Sequence, residues 1–502
     1  MGFGQVKLIG SFNAMIELSD KRKGKREVLS LPTVISRKQN DKPDYNGVLR
    51  HNKISAHMLN LSPNGVCLSL SSLTDGIAID ALLNKSKNVQ LDIHLAEYDS
   101  ELSLEAQPIW NRVISEDSSG KVLYQSGFEF IGLTDEVKNL IADYLKEYKL
   151  VGKINKEQSY YKKKSSIIIE PLYSYGIGDI PRKPTLSQIF KEWVDAINFI
   201  KYPTRRLTAI SLAFHVLTLA VFVQYLLFYL SVKSFLFLIG SIFFLATVYN
   251  TIWFHRYCSH AAFTFRKPAY QLLFLWTNPF LFREECYAIP HQIHHQRPEK
   301  SGDPYGPHLG WLGSYLATES QQKLNIDMTK EQYESVKASI GHIGIRMNSY
   351  DDFKRTGSVE NVRSYITRAL FAQLLFGFTN YFIGGKPFVF AGYSAVFITY
   401  FLMRDFNWWG HGGNYRREKK PGWEFDNKTY ALNQRFYGYL ASEWHDNHHR
   451  FPMSANNGFL PGQIDVAFWI IKVMQKYKIV ESYIDANSRF KVELLIWKGS
   501  LN

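Results

Sequence analysis

Cysteine is scarce. Cys67, Cys258 and Cys286 are the chain's three, and no two stand at CxxC spacing. This excludes a disulfide framework and a thiolate zinc site, and it points to a reducing, cytoplasmic setting. The N-terminus lacks a basic, then apolar, then small-residue pattern, so no secretory signal is expected. Acidic side chains are the minority sign, 45 against 59 basic ones, for a net charge of +14. The surplus suits an anionic partner such as lipid headgroups, a phosphorylated substrate or nucleic acid. Nucleic acid ranks last and is not expected, because no basic helix or RNA-type aromatic motif accompanies the charge.

What is abundant is aromatic. Phe, Trp and Tyr make up 15% of 502 residues, with 11 Trp, which is high for a soluble enzyme and usual at membrane interfaces. Mean hydropathy is only −0.20, so the apolar stretches are diluted by polar regions. The length allows two to four domains.

Residues 1–150 read as a β-rich domain. Ser55–Asn60 and Gly65–Leu70 alternate like half-buried strands, Trp110 opens another run, and Leu123–Phe130 is a further one. Thr134 is a candidate N-cap for a closing helix with a stripe of Val137, Leu140, Ile141, Tyr144 and Leu145. Residues 151–185 read as a polar linker with Lys162-Lys-Lys164, ended by Pro181 and Pro184. Leu186–Ile197 then has one apolar helical face, suited to a membrane surface or to packing on the domain that follows, 186–502.

Two runs, about 207–230 and 235–254, are long enough for about 30 Å of hydrocarbon, and the short Ser231-Val-Lys-Ser234 joins them as a hairpin. A second pair, about 366–383 and 387–403, is joined by Gly384-Gly-Lys386. The stretch 272–282, interrupted by Pro279, is too short to span and reads as re-entrant or interfacial. Lys201, Arg205 and Arg206 precede the first span, and Arg256 and Arg266 follow the second. This bias puts both termini and the histidine clusters on the cytoplasmic side of a multi-pass membrane protein.

Those clusters are the chain's densest chemistry. His255-Arg-Tyr-Cys-Ser-His260, His291-Gln-Ile-His294-His295 and His445-Asp-Asn-His448-His449 hold eight of fifteen histidines, and Asn407-Trp-Trp-Gly-His411 adds a ninth. HxxHH on a helix projects three rings from one face, so two copies could grip from opposite sides. His255 and His260 lie about 140° apart on an ideal α-helix, which suggests that they serve two positions or two metals. Imidazole alone does not choose the metal. A catalytic zinc needs about three protein ligands, and nine histidines far exceed that, so two metals are expected, with two irons the natural redox choice. Single histidines near a membrane are usually interfacial side chains, and His215, His308 and His342 are read that way.

With these motifs the chain closely resembles the membrane fatty-acid desaturases, in particular the acyl-CoA, delta-9-like branch, over about residues 205–480. Asp303-Pro-Tyr-Gly306, the trailing Phe451-Pro452, and Gly458 with Asp465-x-x-Phe468-Trp469 extend the likeness. The resemblance implies an α-helical integral membrane domain with a cytoplasmic histidine-rich cap. It implies two Fe ions held by His255, His260, His291, His294, His295, His411, His445, His448 and His449, with Asn407 acting through water. It further implies O2 as co-substrate, an acyl-CoA or acyl-lipid substrate, and electrons from a ferredoxin or b-type cytochrome with its reductase, since no flavin or nicotinamide fingerprint is present. Pro290 and Gln292 depart from the branch, where an acidic residue and Arg are usual. Pro suits the first helical position, so a helix start there keeps the ligand face. The departure bears on head-group contacts and leaves the carrier open between CoA, carrier protein and lipid. The same irons would serve a fatty-acid or alkane hydroxylase, and a non-catalytic membrane sensor is the third reading.

The N-terminal domain carries Arg22-x-x-x-Arg26 and Asn60-x-Ser62-x-x-Gly65. Two guanidiniums at that spacing take phosphates bidentately and stack on purines, and the turn offers an amide, a hydroxyl and a close backbone. In this order they resemble the PilZ domain, an all-β barrel, over about residues 20–148. The resemblance implies that Arg22, Arg26, Asn60, Ser62 and Gly65 bind cyclic di-GMP and that the setting is a bacterial inner membrane. Asn60 stands where Asp is commoner, the stretch between the arginines and the turn is long, and a solvated basic tail would give the same RxxxR.

Overall fold

The computed structural model describes residues 27–37, 53–62, 64–71, 88–94, 101–116, 122–133, 135, 138–139, 141–142, 168–169, 182–296, 298, 301–316, 323–410 and 444–491. Arg22, Arg26, Thr134 and His411 lie outside the described residues, as does the side chain of Asn60. The chain divides into two compact units, Met1–Lys146 with Lys491–Asn502, and Glu147–Phe490.

The first unit is a closed antiparallel barrel. Its strands are β1 (Glu27–Arg37), β2 (Lys53–Ser62), β3 (Gly65–Ser71), β4 (Val89–His94), β5 (Glu101–Glu116) and β6 (Val122–Phe130), in the order β1-β2-β3-β6-β5-β4. Closure comes from β1, where Thr33 faces Ala56 of β2 on one side and Ile93 of β4 on the other. Alternate residues fill the interior: Val66, Leu68 and Leu70 of β3, Leu104 and Ala106 of β5, Phe128 and Phe130 of β6. Trp110 does not open a strand but sits inside β5, past a bulge between Pro108 and Trp110. The bulge breaks the two-residue alternation and so hides where the strand begins. Asn60 and Ser62 end β2, and Gly65 starts β3 directly opposite Ser62. Ser62 Oγ donates to Gly65 O at 3.0 Å. A Cβ at position 65 would meet Phe128 O at 2.2 Å, so β6 passes too close for any side chain there.

The second unit holds the apolar helices. α1 (Leu186–Ile197) starts at a Thr185–Gln188 capping box and buries Ile189, while Leu186, Phe190 and Val194 form an exposed stripe. That stripe suits the membrane surface rather than a packed interface. α2 (Arg206–Gln224) runs on into a π-helical turn, Tyr225–Tyr229. α3 (Val232–Phe244) runs on into a long π-helical segment, Leu245–Ser259. β7 (Phe263–Phe265) leads to α4 (Pro268–Thr277), short as its sequence requires, and to α5 (Glu284–Gln296). α6 (Gly310–Leu316), α7 (Lys330–Ser339) and α8 (Tyr350–Thr356) are short. α9 covers Val362–Trp409, α10 is His445–Arg450, α11 is Val466–Lys476, and β8 (Val480–Tyr483) pairs antiparallel with β7.

Among the described residues, three stretches are long and apolar enough to cross a membrane: Pro203–Tyr229, Val232–Ser259 and Val362–Trp408. The last is a hairpin. Gly384 (φ −159°, ψ 22°) and Gly385 (φ 68°, ψ −158°) leave helical geometry, and Gly385 occupies a region that favours glycine. Beyond the turn Tyr393 Oη donates to Gln373 O at 2.9 Å, so the two limbs run back against each other. The second limb stacks Phe390 on Tyr229 and Phe388 on Phe237, each at 4.3 Å between centroids. Outward rings and branches such as Phe228, Leu236, Leu374 and Phe382 are exposed and apolar, as a lipid-facing surface requires.

The segment read as a linker is not wholly free. Ile168 and Ile169 are buried in the core of the second unit, Ile169 bridges Leu324 antiparallel, and Asn325 N donates to Ile168 O at 2.8 Å. Their apolar character is masked in sequence by the surrounding lysines, serines and tyrosines.

Candidate metal centre

The π-helical segment of α3 corrects the expected geometry of the first histidine pair. A helix closed by i→i+5 bonds stacks residues five apart on one face, so His255 and His260 converge instead of diverging. His255, His260, His291, His295 and His448 bring one ring nitrogen each to within 4.8 Å of one another, and His294, His445 and His449 form a second such set. Each HxxHH motif is therefore divided between the sets. α5 gives His291 and His295 to one and His294 to the other, whereas α10 gives His448 to the first and His445 and His449 to the second.

The nitrogens stand as ligands on adjacent vertices of a metal polyhedron would. His291 Nε2 and His295 Nε2 are 3.1 Å apart, His295 Nε2 and His448 Nε2 2.8 Å, and His445 Nε2 and His449 Nε2 2.9 Å. Two imidazoles at right angles, each about 2.05 Å from an ion, would be about 2.9 Å apart. His260 Nε2 is buried with no hydrogen-bond partner, a cost that a metal would remove. Burial first, and then the neighbouring imidazoles, push His291, His295 and His448 well below the ordinary histidine range. The same causes bring His260 to about 3. The rings are thus held neutral, which is the form that binds a cation.

Neighbouring groups engage the Nδ1 atoms. His294 Nδ1–H donates to buried Asp303 Oδ1 at 2.8 Å, and His291 Nδ1 meets Tyr305 Oη, so both Nε2 atoms are left for the metal. Asp303-Pro-Tyr-Gly306 therefore orients two rings, and the signal that could have shown this was its spacing after the motif. We predict that Asp303→Asn weakens iron binding about 10- to 100-fold while leaving the fold intact, measured by chelator competition.

α10 is a single helical turn and needs support. Trp444 enters it in the left-handed region (φ 60°), which costs roughly 1–3 kcal/mol, and its Nε1 donates to Ile464 O at 2.6 Å. Asn447 Nδ2 donates to Asn457 O at 2.6 Å and to Gln463 Oε1 at 2.9 Å. Arg256, next to His255, takes Asp465 with both oxygens at 2.9 and 2.7 Å. This ion pair ties the first histidine segment to the loop after the third.

Pro290 does not begin the helix. α5 starts six residues earlier at Glu284, and Pro290 lies inside it. Buried Glu284 and Glu285 in the first turn suit the helix dipole and are held by Arg368 at 2.7 Å and by Arg283, so the helix begins at this ion-paired turn. Gln292 donates from Nε2 to Ser259 O at 3.0 Å, tying α5 to the end of the π-helical segment. Of the three histidines set aside, His342 packs on Tyr257 and bonds its backbone oxygen at 2.8 Å, while His215 packs against Phe397 and Tyr400. Asn407 is buried and lines the same cavity as His255, His291, His294 and His445.

Imidazoles gathered beside helices apolar enough to cross a membrane define a candidate histidine-built metal site. Residues 233–457 match the family model for fatty acid desaturase, and residues 20–147 match that for the PilZ domain. The chain thus unites a PilZ domain with a fatty acid desaturase domain. It is similar to the Delta-9 desaturase-like 4 protein of Arabidopsis thaliana, 25% identical over 245 residues that cover 47% of this chain and 71% of that protein. It is also similar to the Icosanoyl-CoA 5-desaturase of Limnanthes douglasii, 24% identical over 244 residues, 45% of this chain and 58% of the relative's length. Among solved structures, the PilZ domain with c-di-GMP of YcgR from Escherichia coli aligns at 14% identity and a TM-score of 0.18. That alignment covers 24% of this chain and 85% of that one.

Proposed function

We propose that this chain is an O2-dependent di-iron acyl desaturase that introduces a cis double bond into a saturated acyl chain, with its output set by cyclic di-GMP at the N-terminal domain. One observation carries the catalytic half: eight imidazoles, six buried and two half-buried, fall into two convergent sets, with both HxxHH motifs shared between them. His255, His260, His291, His295 and His448 would hold one iron, and His294, His445 and His449, with His411, the other; Asn407 would act through water. Two irons bound there would supply O2 activation and removal of hydrogen from an unactivated chain. The overall change balances as loss of two hydrogens from adjacent methylenes, with O2, two electrons and two protons giving two waters. The electrons come from a separate ferredoxin or b-type cytochrome with its reductase.

The protein's own part is to hold the rings neutral and oriented and to keep water away. Met403 and Phe406 line the cavity beside His255 and His445 and give methylenes an apolar wall. The substrate is an acyl-CoA or acyl-lipid. The protein lies in a bacterial inner membrane with both termini and the histidines on the cytoplasmic side, from the lysines and arginines that flank the spans. Arg22, Arg26, Asn60, Ser62 and Gly65 take the cyclic dinucleotide.

The test is a lipid profile of a desaturase-deficient bacterium expressing the full chain, with and without raised cyclic di-GMP. The wild type should form new double bonds, His448→Ala none, and the Arg22→Ala, Arg26→Ala double variant should no longer respond to the dinucleotide. Equal yields from wild type and His448→Ala would refute desaturation at this site. Products that gain oxygen instead of losing two hydrogens would make the enzyme a hydroxylase, and a yield indifferent to the dinucleotide would refute the regulatory half.

A further inference from the structure

The π-helical segment that brings His255 and His260 together puts a third polar side chain in the same register. Asn250, His255 and His260 are spaced i, i+5 and i+10, so the face that carries two imidazoles also carries an amide one π-turn earlier. Asn250 is only 7% exposed, within a stretch apolar enough to span a membrane. An uncharged polar group buried in such a stretch needs an internal partner. It finds one for half of its amide: Tyr287 Oη donates to Asn250 Oδ1 at 3.3 Å. Tyr287 precedes His291 by one α-helical turn, so this pair stands on the two helices that, with the C-cap residue His260, supply four of the five histidines of the larger set.

The tyrosine's proton fixes the orientation of the amide. With Oδ1 accepting, Nδ2 is the donor end, and among the described residues it has no hydrogen-bond acceptor. Asn250 and Tyr287 line one cavity with His255, His291, His445 and Asn407. Asn250 itself lines the cavity, so this donor borders the space in front of the histidine rings. The cavity joins a wall of imidazoles to a wall that offers a donor.

We propose that Asn250 is a ligand-orienting donor of the metal site: its Nδ2–H bonds a small lone-pair ligand, water or an anion, held in the cavity opposite the histidines, with Tyr287 setting the amide's orientation. This rests on the reading that the two histidine sets hold iron. It adds to that set a residue that would touch the ligand rather than the metal. Loss of such a bond is expected to weaken a small anion by roughly tenfold.

The experiment uses the full chain in detergent, reconstituted with iron and oxidised, with azide as the probe ligand. Iron per chain and the azide dissociation constant, from the absorption band of the adduct, are measured for wild type and variants. Asn250→Leu, similar in size but without a donor, should raise the azide dissociation constant roughly tenfold with wild-type iron content. Tyr287→Phe, which frees the amide to turn, should raise it by a smaller factor. If Asn250→Leu does not fold, Asn250→Ala carries the same test, because it removes the N–H without adding a charge. An azide constant within twofold of wild type overturns the proposal. So does loss of iron from both Asn250 variants, which would make the residue a support of the fold or the metal. A wild-type protein that takes up no iron sinks the metal reading itself, a result distinct from iron-loaded protein whose azide affinity ignores Asn250.

Discussion

If the two histidine sets hold iron as proposed, His449→Ala is expected to lose more iron than His260→Ala and to form fewer new double bonds. The difference follows from the division of the rings. His449 belongs to the set that holds three described histidines, and His260 to the set that holds five. Removing one of five leaves four imidazoles, more than the three or so protein ligands that hold a catalytic metal; removing one from the smaller set, even with His411 counted in it, leaves three, with none to spare. His411 is the resemblance's candidate to fill out the smaller set, so His411→Ala should resemble His449→Ala. Metal analysis of the purified full-length variants, alongside their product yields, checks all three. Equal iron in His449→Ala and His260→Ala would mean that the two sets are not the partition between metals.

That partition was only half legible in the sequence. The ligand types, their clustering and their nearness to apolar hairpins could be read directly, because imidazole is rare and eight in three windows is not a surface accident. Their grouping could not. A one-face reading of HxxHH gives three rings to one metal, but α5 and α10 each split theirs, because facing helices share ligands across the gap between them. The 140° separation of His255 and His260 assumed an α-helix, and nothing in Leu245–Ser259 advertises the π geometry that erases it. In the barrel, β3 and β6 were plain because their alternation is unbroken. β5 was misplaced because a bulge interrupts it, and β1 and β4 carry no signal as clear. Gly65, singled out as part of a nucleotide turn, is required in any case by the approach of Phe128 O. Its presence alone therefore does not argue for a ligand. Ile168 and Ile169 show the opposite failure: two buried residues in a tract whose composition reads as solvent-exposed.

Arg256→Ala is expected to destabilise the metal-free protein by about 3–5 kcal/mol, the usual cost of leaving one partner of a buried ion pair alone. Arg256 and Asp465 are both almost fully buried, and the guanidinium also donates to Ala455 O. Asp465 is committed elsewhere too: its Oδ2 accepts from Asn457 N at 2.8 Å, and its Oδ1 caps α11 by accepting from Phe468 N at 2.9 Å. Removing the arginine therefore strands a carboxylate that organises the loop against which Asn447 anchors the third histidine motif. His445, His448 and His449 serve both sets, so iron at both positions should weaken, although no ligand has changed. His449→Ala, by contrast, should weaken one position only and leave the metal-free fold near wild-type stability. Thermal unfolding of the metal-free variants, followed by iron titration, separates these effects. The double variant Arg256→Met, Asp465→Leu removes both charges and should recover much of the stability lost by Arg256→Ala. It should not recover the iron affinity, because the cap on α11 and the bond to Asn457 N go with the carboxylate. Full recovery of both would reduce the pair to a stabilising contact; recovery of stability alone identifies it as the clamp that sets the third histidine segment against the first.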